Sequence, residues 1–180
     1  MHMSRYTLFK SALTGIIFLL VSGCSKLTQF YLNYSQNITI SPGLGIGIPF
    51  TTSTPPFPTE STVAFENNNT QANLVESCKL KEIQAEITQP TNYDFSFLNQ
   101  IDVFLSATSL PEIKIAYSYN ISENIGKKLT LETTDVELKE YIKKDQLSIR
   151  ISTVQDKVTL EEVKAKLDCK FFIDAKILGF

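Results

Sequence analysis

Apolar and polar residues alternate with a period of two along much of the chain, most clearly near its C-terminal end. There Val163, Ala165, Leu167, Cys169, Phe171, Ile173, Ala175 and Ile177 interleave with Lys164, Lys166, Asp168, Lys170, Phe172, Asp174 and Lys176. Successive side chains of an extended strand point to opposite faces, so this run predicts a strand with one core face and one wet face. Leu147, Ile149 and Ile151 alternate with Ser148, Arg150 and Ser152 in the same way, and strands are also predicted over 101–106, 113–119 and 129–133. Phe30 to Ile40, rich in aromatic and β-branched residues, predicts a further strand or two. Thr62 to Glu66 alternates as well and runs into the turn-forming Asn67 to Thr70. Cys78, Leu80, Ile83, Ala85 and Ile87 share one face only if parity breaks between 80 and 83, which predicts a β-bulge. A turn is expected at Gln89-Pro90-Thr91-Asn92.

Helical spacing competes mainly at Val136, Leu138, Tyr141 and Ile142, with a lesser helical turn expected over 71–76. Asp94 to Leu98 is expected to pack its aromatic residues under a connection. Seven to nine short strands with one short helix predict an all-β fold: an antiparallel β-sandwich, immunoglobulin-like, in a single domain over 29–180. Gly43, Gly45 and Gly47 superficially resemble a phosphate-binding loop. Prolines at 42 and 49 bracket them, and the strand before and helix after are missing, so a flexible or edge-strand crossing is expected instead.

The N-terminal segment has a different pattern. Arg5 and Lys10 are the only charges in the first 25 residues, and an apolar run from Ser11 to Val21 leads into Ser22-Gly23-Cys24. A basic start, a short apolar stretch and a small-residue exit describe a secretory signal peptide over 1–23. Eleven helical residues span only about 16 Å, roughly half a bilayer core, so the segment is a poor permanent anchor. Val21-Ser22-Gly23-Cys24 resembles the bacterial lipobox. That resemblance implies cleavage between Gly23 and Cys24, acylation of the Cys24 thiol, and a short tether over 24–28. Two or more acyl chains anchor a protein stably where one does not.

Removal of residues 1–23 takes two of the 17 cations and none of the 19 anions, leaving 157 residues with a net charge of −4. Neither sign forms a block, so nucleic-acid binding is not expected and membrane attachment rests on the lipid. The one histidine, His2, leaves with the signal. Ser-His-Asp chemistry, Cys-His chemistry and His-ligated metals go with it, and neither a cofactor nor a metal is expected. Cys78 and Cys169 remain in a compartment that permits disulfides. They are a candidate pair, or equally two small buried hydrophobes.

Asp94, Asp102, Glu112, Asp135, Glu137 and Asp145 offer carboxylates, but no spacing joins any two as an acid–base pair, and no catalytic residue is assigned. Tyr93, Tyr117 and Tyr119 near strand ends offer an aromatic platform for a glycan, although tyrosines in a sandwich are commonly half-buried. The terminal Phe180 suggests a membrane-barrel strand, but Lys176 and Asp174 occupy positions that would face lipid.

Several stretches resemble a group of Bacteroidetes outer-membrane lipoproteins that have no assigned activity. They are Asp94 to Leu98 before Ile101 to Ala107, Leu110 to Ala116, Leu138 to Asp145, and Phe171 to Ile177. The resemblance implies a β-sandwich and an envelope location. Ser25-Lys-Leu-Thr-Gln29 lacks the acidic residues that follow the lipidated cysteine in surface-exported lipoproteins, so the periplasmic face is favoured. The expected role is non-enzymatic, structural or protein-binding, with glycan or ligand binding as the alternative.

Overall fold

The computed structural model describes residues 29–42 and 45–178; the predicted signal peptide, lipidation site and tether lie outside them. Ten strands fold as an antiparallel β-sandwich. They are β1 (Gln29–Ile40), β2 (Pro49–Ser53), β3 (Phe57–Pro58), β4 (Val75–Gln89), β5 (Leu98–Ala107), β6 (Ile113–Tyr119), β7 (Lys128–Thr130), β8 (Glu132–Thr133), β9 (Gln146–Gln155) and β10 (Val163–Ala175). One sheet has the order β1-β10-β4-β7, and the other β2-β9-β5-β6-β8, with β3 also pairing with β9.

The two orders match position by position, β1 with β2, β10 with β9, β4 with β5 and β7 with β6. A long antiparallel ribbon wrapped around the core gives this arrangement, the double Greek-key path of a jelly roll. The period-two signal gives the sandwich but not the path of the chain through it, and the path here is the jelly-roll one.

The core lies between the sheets and takes the residues that the alternation points inward. On β10, Val163, Ala165, Leu167, Cys169, Phe171, Ile173 and Ala175 are all buried. They meet Ile83, Ala85, Leu80 and Cys78 from β4, and Ile101, Val103, Leu105, Ile149 and Ile151 from the opposite sheet join the same core. The bulge falls where parity predicts it: Lys170 pairs with Glu82 but Phe171 pairs with Leu80, so Lys81 is the extra residue. Lys81 and Glu82 are both exposed, which returns Ile83 to the inner face.

Two stretches differ from expectation. Thr62 to Glu66 lies in a short helix, α1 (Ser61–Asn67), which buries Ser61 and Phe65 and leaves Val63 exposed. Five alternating residues fit a single turn of helix as well as a strand, and the four-residue spacing of Ser61 and Phe65 decides it. Among the described residues two short α-helices therefore occur where one was expected, the second being α2 (Lys139–Ile142). Residues 129–133 form two strands, because the chain crosses from β7 in one sheet to β8 in the other at the buried Leu131.

Candidate interaction surfaces

Each sheet has two edges, and an edge strand presents unpaired backbone donors and acceptors to any chain able to pair with them. Three of the four edges are blunted. β7 has three residues and carries Lys128, and β8 has two residues and carries Glu132. The β2–β3 edge is broken by Pro49, Pro55, Pro56 and Pro58, which cannot donate to a ladder.

The fourth edge is β1. It has 12 residues and no proline, and pairs along its whole length with β10 on one side only. No charged residue occurs anywhere from Leu27 to Thr59. Among the described residues, none outside β10 makes a backbone hydrogen bond to this strand.

A cleft of about 440 Å³ runs beside β1, between Leu32 to Gln36 on one wall and Phe57 to Ala64 on the other. Phe30, Leu32 and Tyr34 point inward but are only half-buried, and Val63 stands 59% exposed. Aromatic contacts hold the far wall in place: Tyr34 lies 6.0 Å from Phe57, and Phe30 lies 6.3 Å from Phe65, edge to face. The Tyr34 hydroxyl donates to the Thr59 carbonyl at 2.7 Å. Burial pushes the Tyr34 phenol well above its usual range, with Cys78 and Glu60 adding to the effect, so it stays a neutral donor. Thr59 in turn donates through Oγ1 to the Lys144 carbonyl at 2.7 Å and through its backbone N–H to the Asp145 carbonyl at 2.9 Å.

The outer face of the other sheet carries a second cluster. Asp102 is 7% exposed, and its carboxylate accepts from Gln100 Nε2 at 2.7 Å and Tyr119 Oη at 2.8 Å and pairs with Lys114 Nζ at 2.7 Å. Burial alone would raise its pKa, but the hydrogen bonds from Lys114, Gln100 and Tyr119 outweigh burial and hold it below the ordinary value. Arg150 lies 4.0 Å from the Phe104 ring centre and grips Glu112 through two nitrogens, the shorter contact being 2.6 Å. Tyr117 and Tyr119 stack with ring centres 4.9 Å apart.

Two of the three tyrosines singled out in the sequence thus come together, while Tyr93 packs against Phe97 elsewhere. Lys114, Arg150 and Phe104 carried no sequence signal, because the register of β5, β6 and β9 is what makes them neighbours.

The candidate carboxylates do not converge on a cleft. Asp94 caps the short turn at Phe95–Phe97, accepting from the Ser96 N–H at 2.9 Å. Asp135 pairs with Lys79, and Glu137 accepts from the Cys78 N–H and the Ser77 hydroxyl. Asp145 contributes a backbone carbonyl to Thr59. No group of three or more His, Cys, Asp or Glu side chains among the described residues is placed to hold a metal.

The candidate disulfide does not form: Cys78 and Cys169 are both free and buried. They lie on neighbouring strands, but Cys169 faces Ile83 and Cys78 faces Ile173. Four residues of strand separate them, roughly 13 Å, whereas a disulfide needs Cα atoms within about 7 Å. They fill the core as small hydrophobes. Burial pushes both thiols up, Cys169 to about 12.

No family model matches the chain, and no curated protein does. Among solved structures, FlhE is 9% identical with a TM-score of 0.36, the match covering 82% of this chain and 98% of FlhE. The decameric BFDV capsid protein is 11% identical with a TM-score of 0.34, covering 82% and 99%. Turnip yellow mosaic virus is 11% identical with a TM-score of 0.30, covering 84% of each chain. Likenesses this distant carry no argument about the role of this chain.

Proposed function

We propose that the chain is a non-enzymatic lipoprotein of the bacterial envelope, held to the outer membrane through acylated Cys24 and presenting its sandwich to a protein partner. The lipobox-like Val21 to Cys24 supports the anchor, and the pattern resemblance to Bacteroidetes lipoproteins agrees with it. The observation that favours a protein partner is the open, uncharged β1 edge. Added strands gain main-chain hydrogen bonds along such an edge, and alternate side chains enter whatever cleft lies beside it. The missing acidic residues after Cys24 favour the periplasmic face.

A glycan-binding reading draws on the Tyr117–Tyr119 stack beside Asp102. The polar groups around that stack are already committed to one another, and Lys114 lies over the Tyr119 ring at 5.9 Å, so little is left to grip a sugar. Crosslinking in intact envelopes separates the two readings. A reproducible protein adduct through β1 is expected. A sugar ligand with no protein neighbour would replace the first reading with the second.

A further inference from the structure

We infer that the strand which completes β1 is the β1 of a second copy of this chain, paired antiparallel across a twofold axis. The inference rests on the protein-binding reading of the edge and names its partner.

A strand that pairs with itself brings each residue opposite another from the same short list. β1 reads Gln-Phe-Tyr-Leu-Asn-Tyr-Ser-Gln-Asn-Ile-Thr-Ile, so self-pairing places no like charges in opposition. The cleft beside it has Glu60 as its one charged lining residue, so it offers little to select a charged foreign segment. The register centred on Tyr34 keeps the inward residues on a common face and sets Phe30 against Ile38, Leu32 against Gln36, and Tyr34 against its own copy. The half-buried end of each β1 is then covered by the better buried end of its mate.

Closure gives a second argument. A foreign strand would itself bring another unpaired edge, whereas a twofold pair consumes both open edges at once and stops. The pairing joins two four-stranded sheets into one of eight.

The route of the chain toward Cys24 agrees with this symmetry. Twelve residues of strand span about 40 Å, so an antiparallel seam places the two Gln29 residues at its opposite ends. With the twofold normal to the sheet, both lie at the same height. Four residues separate each from Cys24, five peptide steps and a reach of at most about 18 Å, so both acyl anchors can enter one membrane lying parallel to the sheet.

The test uses the full chain in native membranes. Cysteine is placed singly at Asn33, Ser35 and Asn37, which are exposed on the outer face of β1, and at Thr130 on the far edge of the same sheet. After treatment with a thiol-reactive crosslinker long enough to join diagonal neighbours across the seam, a linked species of twice the monomer mass is expected at Asn33 and Ser35, absent at Thr130 and in the unsubstituted chain. Asn33→Glu with Asn37→Glu sets like charges across the seam while facing Lys170 and Lys166 of the same protomer, and should lower the dimer fraction about tenfold without lowering the unfolding midpoint. Thr130→Lys should leave the dimer intact. Adducts of β1 with a different protein, and none of doubled mass, would overturn the second copy and keep the protein-binding reading. A chain that is monomeric at every concentration, with no adduct of any mass through β1, would overturn both.

Discussion

Asp102 shows how a carboxylate is kept ionised under a sheet's outer face. Three donors converge on it, and losing the acceptor leaves Tyr119, Gln100 and Lys114 competing for water in a partly closed site. Asp102→Ala should cost about 1–3 kcal/mol in chemical denaturation, and Tyr119→Phe about 1 kcal/mol. A carboxyl whose pKa is depressed by folding binds its proton more weakly in the folded chain than in the unfolded one. Its contribution is therefore complete above the unfolded value and is lost as the pH falls through the folded value. Asp102, Glu112, Glu137 and Asp168 are all depressed, so the wild type should lose stability below about pH 4. Asp102→Asn should flatten that acid limb; an unchanged limb would contradict the assignment. The two core thiols give a separate check. Cys78 and Cys169 should ignore a thiol reagent at pH 8 in the native protein and react in denaturant. A mass gain of about 2 Da on reduction would restore the disulfide.

The elements are held as much by pins as by strand pairing. Thr59 fixes the β3–α1 segment to the turn before β9 through its hydroxyl and its backbone N–H. Thr59→Val keeps the shape and removes the hydroxyl, at an expected cost of about 1–2 kcal/mol by unfolding and with looser protection of 57–67 in hydrogen exchange. The bulge in β4 is a local feature. Deleting Lys81 would leave Leu80 and Ile83 on either side of Glu82 in strict alternation, so the deletion variant should still fold with Ile83, Ala85 and Ile87 buried, and hydrogen exchange should change only around the lost bulge. This bulge was legible in the sequence because apolar parity over ten residues has one consistent solution. So was β10, whose long alternation has no helical reading. α1 was not legible, since five residues contain too little periodicity to separate strand from helix. Nor was the split of 129–133, because a crossing at a buried leucine leaves the local pattern unchanged. The Asp102–Lys114–Arg150 cluster was hidden for another reason: its members are neighbours through register, which no local pattern encodes.

For the whole molecule, the jelly-roll path leaves β1 as the one long, uncharged, proline-free edge among the described residues, on the strand nearest Cys24 in sequence. An edge of this kind is a hazard in a freely diffusing protein and an asset in one confined beside its partner. The proposed anchor at Cys24 is therefore the central claim, since anchoring would give the open edge its use. In cells, Cys24→Ala should move the protein out of the membrane fraction without changing its unfolding midpoint. The most direct measurement is the intact mass and N-terminal peptide of the protein extracted from membranes. The account predicts a chain that begins at Cys24 and carries acyl groups on that residue. A chain that retains residues 1–23, or one cleaved elsewhere and free of lipid, would contradict it.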